Sequence, residues 1–91
     1  MSEAAEEAIL RVLVVDHRPF QRRLIAEALR AIGRVDIGYA ENIEQCLLAL
    51  TYFEPHVIVF DWDIDGGAGL TLAQRLRAGE AQGCREVAAR G

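Results

Sequence analysis

The chain has 91 residues, 52% of them hydrophobic and 7% aromatic, so it makes one domain at most, burying roughly 60% of its unfolded surface. A net charge of −4 argues against electrostatic capture by nucleic acid or an anionic membrane. No apolar stretch approaches the ~20 residues needed to span a bilayer.

The opening Met1-Ser2-Glu3-Ala4-Ala5-Glu6-Glu7 is acidic where an export signal carries positive charge, so residues 1–9 are read as an acidic extension and the expected location is cytoplasmic. Arg11-Val12-Leu13-Val14-Val15 then forms an apolar, β-branched run closed by Asp16. A run apolar at every position suits a strand covered on both faces, as in a parallel sheet. Pro19 is suited to the first turn of a helix. Phe20, Leu24, Ile25, Ala28, Leu29 and Ile32 recur at helical spacing, and Gly33 supplies the stop. Arg22, Arg23, Glu27 and Arg30 fall largely outside that stripe and are expected in solvent.

Val35-Asp36-Ile37-Gly38-Tyr39-Ala40 reads as a second strand, weakened by its glycine. Asn42 can cap a second helix, whose buried stripe is Ile43, Cys46, Leu47, Leu50 and Phe53. Glu54-Pro55-His56 breaks it, and Val57-Ile58-Val59-Phe60 forms a third strand that delivers Asp61 at its carboxyl end. An acidic and then glycine-rich loop covers residues 62–68, and Gly69 to Arg77 reads as a third helix. The folded unit is expected to span 10–78. Residues 79–91 show no convincing apolar strand and are expected to be a frayed or disordered tail. The order βαβαβα implies an α/β fold, with right-handed crossovers and a parallel sheet ordered 2-1-3. The cysteines, Cys46 and Cys84, lack metal-ligand spacing and read as free thiols, Cys46 as a packing residue.

Open parallel sheets do their chemistry outside the carboxyl ends of the strands, where strand order reverses. That rule brings Asp16 close to Asp61. Two carboxylates in one crevice raise each other's pKa unless a cation sits between them. With Asp63 and Asp65 nearby, a hard divalent ion with oxygen ligands is the natural partner. Loop and capping roles in solvent are the alternative for these aspartates.

These pieces together resemble the receiver domain of two-component response regulators. The residues that carry the resemblance are Val12 to Asp16, Pro19, Arg22-Arg23, Tyr39-Ala40-Glu41-Asn42, Val57 to Asp63, and Gly69-Leu70. The resemblance implies a three-layer, flavodoxin-like (βα)3 unit that takes part in phosphorelay signal transduction and is not itself an enzyme. It implies that Asp61 is the phosphoacceptor of a phosphoprotein, receiving its phosphoryl group from a histidine kinase or phosphotransfer protein. It also implies magnesium held by Asp16, Asp61 and the backbone carbonyl of Asp63.

The chain departs from that pattern in three places. His17 stands where a second acidic residue normally touches the metal, and imidazole is a poorer magnesium ligand than carboxylate; His17 itself is read as a solvent-exposed loop residue. The chain has no lysine, and its only threonines, Thr51 and Thr71, lie on helices, so the family's phosphate-reading hydroxyl and lysine are not among these residues. Asp65 replaces a frequent proline. A pseudo-receiver, acting as a protein-interaction module without phosphotransfer, is therefore the alternative function.

With only three strands, the apolar edge of the third would be bare, which predicts self-association through it or marginal folding. Two further likenesses are weaker. Asp61 to Gly66 imitates the start of a calcium loop, but Leu72 stands where its bidentate glutamate belongs. The strand ending in Asp61-Trp62-Asp63 resembles haloacid-dehalogenase-type phosphotransferases, which need a lysine and a longer chain.

Overall fold

The computed structural model describes residues 9–61, 63–77 and 86–90. Among the described residues, four strands are joined by four helices, two of them consecutive between the last two strands. They are β1 Leu10–Val15, α1 Pro19–Ile32, β2 Val35–Ala40, α2 Ile43–Tyr52, β3 Val57–Asp61, α3 Ile64–Gly67, α4 Gly69–Arg75 and β4 Glu86–Arg90. All strand pairs are parallel, in the order β2-β1-β3-β4. The expected 2-1-3 sheet is present, and β4 extends it.

That fourth strand corrects two expectations. Residues 86–90 pair along the whole of β3, from Val57 opposite Glu86 to Asp61 opposite Arg90, where a frayed or disordered tail was expected. The edge of β3 is therefore covered, and self-association through an exposed third-strand edge loses its premise. A small, charged segment gives no apolar strand signal of its own. Residues 78–85, with Cys84, lie outside the described residues, as do Trp62 and residues 1–8 of the acidic extension.

Side chains alternate across the sheet. Leu13 and Val15 of β1 share one face with their register partners Ile58 and Phe60 of β3. With Ala40 they build the main core against Cys46 and Ala49 of α2, Ile64 of α3, and Leu72, Ala73 and Leu76 in and after α4. Ile43, Leu47, Leu50 and Phe53 pack around its margin, so the stripe read for the second helix is realised, with Ala49 added. Asn42 caps that helix as expected, its Oδ1 accepting the Gln45 N–H at 2.8 Å.

The opposite face carries Val12 and Val14, buried beneath α1, and Val57 and Val59, only half-buried. The buried side of α1 differs from the expected stripe. Its one buried residue is Ala26, flanked by half-buried Arg22, Ile25 and Leu29. Phe20 is 66% exposed, Leu24 45% and Ile32 84%. The apolar stripe was wide enough to be satisfied in two orientations, and the helix turns the Ala26 side to the sheet.

Candidate functional site

β1 and β3 are neighbours, and both end at the same rim, so the residues that follow their last paired positions meet there. The Asp16 N–H donates to the Ala40 carbonyl at 3.0 Å, which ties the end of β1 to β2. The Asp16 carboxylate is fully buried, and Asp61 is 7% exposed. The approach of these two groups was expected from the chain; what joins them was not.

Arg18 lies between them. Its Nε donates to Asp16 Oδ1 at 3.0 Å, and its Nη2 donates to Asp16 Oδ2 at 3.1 Å and to Asp61 Oδ2 at 2.8 Å. The backbone N–H of Arg18 also donates to Asp16 Oδ1, at 2.9 Å. That local turn, an aspartate bonding the N–H two residues on, aims the chain into α1. Arg18 is the extended residue just before the helix, and Pro19 follows at its first turn. The turn thus starts the guanidinium beside the carboxylate it clasps. The Arg18 pKa is raised above its ordinary value, chiefly by the hydrogen bond to Asp16; desolvation works against the rise, and attraction to Asp16, Asp61 and Asp63 adds to it. Arg22, expected in solvent, is half-buried, and its Nη1 donates to the Asp16 carbonyl at 2.7 Å.

Asp63 and Asp65 play different parts. The Asp63 N–H donates to Asp61 Oδ1 at 3.1 Å, so both oxygens of Asp61 are engaged. The Asp63 side chain is exposed, and its carbonyl accepts the Gly67 N–H at 3.2 Å. Asp65 turns away: its Oδ2 accepts the Ile43 N–H at 3.0 Å, at the start of α2. Asp65 reaches that donor from a left-handed backbone, φ 52°, followed by Gly66 at 75° and Gly67 at 100°, which is why a glycine pair follows the acidic run. A calcium loop would converge these carboxylates; here Asp61 and Asp65 serve different partners.

The residues present do not fit a magnesium site as they stand. His17 is exposed, with its Nδ1 3.9 Å from Asp16 Oδ1. A guanidinium fills the gap between the two aspartates. Among the described residues, no group of three or more His, Cys, Asp or Glu side chains is placed to hold a metal ion. The sequence signal for Arg18 was available: a carboxylate pair requires a cation, and an arginine stands two residues from the first carboxylate.

A family model for the response regulator receiver domain matches residues 12–86. The chain belongs to that family. Over 71 residues it is 37% identical to a protein-glutamate methylesterase/protein-glutamine glutaminase of Moorella thermoacetica, covering 77% of this chain and 17% of that protein. Over 69 residues it is 35% identical to the phosphate regulon transcriptional regulatory protein PhoB of Pseudomonas aeruginosa, covering 76% and 30%. The chain thus spans less than a third of the length of these curated relatives. A response regulator receiver protein of Pseudomonas putida superposes with a TM-score of 0.74 at 27% identity, over 90% of this chain and 69% of that one. The MaeR response regulator bound to beryllium trifluoride superposes with a TM-score of 0.80 at 22% identity, over 90% and 66%, which speaks for the fold. The matching sheet and the acidic rim therefore make this a receiver domain of two-component signalling. No helix among the described residues is long and apolar enough to cross a membrane.

Proposed function

We propose that this receiver domain works in a phosphorelay in which Asp61 accepts a phosphoryl group from a histidine kinase or phosphotransfer protein. The observation that carries this reading is the place of Asp61. It ends β3 at the sheet rim, beside Asp16, with its carboxylate held by the Arg18 guanidinium and the Asp63 N–H. In the transfer, an Asp61 oxygen attacks the phosphorus of a phosphohistidine. The P–O bond forms as the P–N bond breaks, and the leaving imidazole nitrogen keeps the electron pair and takes a proton from water. The product is an acyl phosphate. Arg18 offsets the negative charge that gathers on the transferring group, a preorganised electrostatic role.

Acetyl phosphate tests the acceptor directly, with intact-protein mass as the readout. The wild type is expected to gain one phosphoryl mass and Asp61→Asn none. A wild type that stays unmodified, or a variant that gains the mass equally, overturns the assignment.

One observation favours a second reading. Arg18 already satisfies both carboxylates, and the chain has no lysine to read a phosphoryl group. A pseudo-receiver that offers a folded surface to a protein partner would need neither transfer nor metal. An unmodified wild type in the same experiment selects this reading.

A further inference from the structure

We infer that Arg18 is a tethered cation that takes the place of a divalent ion at the rim, so that the Asp16–Asp61 pair is balanced by the chain itself and has no use for magnesium. The inference concerns the same site as the proposed phosphotransfer. Its first test, however, reads metal binding alone.

Charge is the first argument. Asp16 and Asp61 bring two negative charges and Arg18 one positive, leaving one negative charge on these three groups. Relative to the acidic pair that the receiver pattern places after β1, His17 removes one negative charge and Arg18 adds one positive. The two changes sum to the charge of one divalent ion. Two carboxylates that share one guanidinium nitrogen would repel each other without a cation between them.

Geometry is the second argument. Arg18 grips Asp16 with Nε and Nη2, the fork that suits a carboxylate, and the same Nη2 reaches Asp61 at 2.8 Å. A magnesium ion entering between the aspartates would displace these charge-assisted bonds and sit beside a fixed positive charge. Magnesium also dehydrates reluctantly and needs hard oxygen ligands. The carboxylates that would compensate are not offered, because Asp65 is bonded to the start of α2 and Asp63 is exposed. Arg22, on the Asp16 carbonyl, adds a second positive charge nearby.

The guanidinium also keeps donors free of the two aspartates. Its Nη1 donates to no described residue, and the Arg18 side chain is 43% exposed. Two N–H groups therefore remain for the oxygens of an incoming phosphoryl group, which arginine binds well. Arginine supplies charge and hydrogen bonds without an exchangeable ion.

The test titrates magnesium chloride into the full 91-residue chain, read by calorimetry and by the melting temperature. The wild type and Arg18→Lys are expected to show no saturable binding and an unchanged melting temperature. The double variant His17→Asp/Arg18→Met should bind magnesium at least about tenfold more tightly than the wild type, the factor made by ~1.4 kcal/mol. If that variant is poorly folded alone, magnesium should restore its melting transition. A wild type that binds magnesium as tightly as the double variant overturns the inference, and so does a double variant that fails to respond.

Acetyl phosphate labelling with and without a chelator forms the second arm. Labelling of the wild type that is indifferent to the chelator supports the inference. Labelling that requires magnesium overturns it and leaves Asp61 as the acceptor. No labelling at all, with magnesium binding confined to the double variant, sinks the acceptor reading and supports Arg18 as the resident cation.

Discussion

On one face of the sheet, Leu13, Val15, Ile58 and Phe60 are all buried beneath α2, α3 and α4. On the other, Val12 and Val14 are buried, but Val57 and Val59 are half-buried, and α1 leaves Phe20, Leu24 and Ile32 in solvent. Strands of near-identical composition thus have two different environments. The difference teaches that an all-apolar strand reports its capacity for double coverage, whereas the helices decide how much coverage it receives. It also locates the stability: substitutions should be costly on the first face and cheap on the outer side of α1.

The largest effect is expected from Phe60→Ala. It empties the middle of the filled face and should lower unfolding free energy by about 3–5 kcal/mol, measured by denaturant titration. A loss below about 1 kcal/mol would mean that this face collapses around the gap. Gly38→Ala probes the same face by filling it. A Cβ there would stand 3.1 and 3.2 Å from ring carbons of Phe53 and 3.3 Å from Leu13 Cδ1, and a loss of about 1–3 kcal/mol is expected. The contrasting change Gly33→Ala meets nothing within 4 Å and should be silent in the same titration.

Asn42→Ala loosens the helix that covers the filled face by removing the bond to the Gln45 N–H. A loss of about 1 kcal/mol is expected, read as a lower melting temperature. The smallest effect belongs to Ile32→Ser on the outer side of α1, within about 0.5 kcal/mol of the wild type. A loss above about 1 kcal/mol there would break the comparison, because it would show Ile32 covered in solution.

The rim illustrates how far residue patterns reach. Two apolar runs that each end in aspartate, separated by helices of ordinary length, fit few arrangements, and the parallel order with β1 beside β3 is one of the few that right-handed crossovers allow. These patterns bring Asp16 next to Asp61. They also fix the cap at Asn42 and the packing role of Cys46, because both depend on neighbours a few residues away. They do not place Arg18, because a long, flexible side chain can point to solvent or fold back, and only the surrounding carboxylates choose between them.

By itself, then, the sequence determined the strand order, the caps and the meeting of two carboxylates, all set by short-range periodicity and chain handedness. Tertiary structure alone decided which side of α1 faces the sheet, that residues 86–90 complete the edge of β3, and that an arginine bridges the acidic pair. Each of those outcomes depends on groups distant in sequence. A side chain's environment is created by the fold, and the energy that chooses among rotamers, helix faces and strand partners exists only once those groups are brought together.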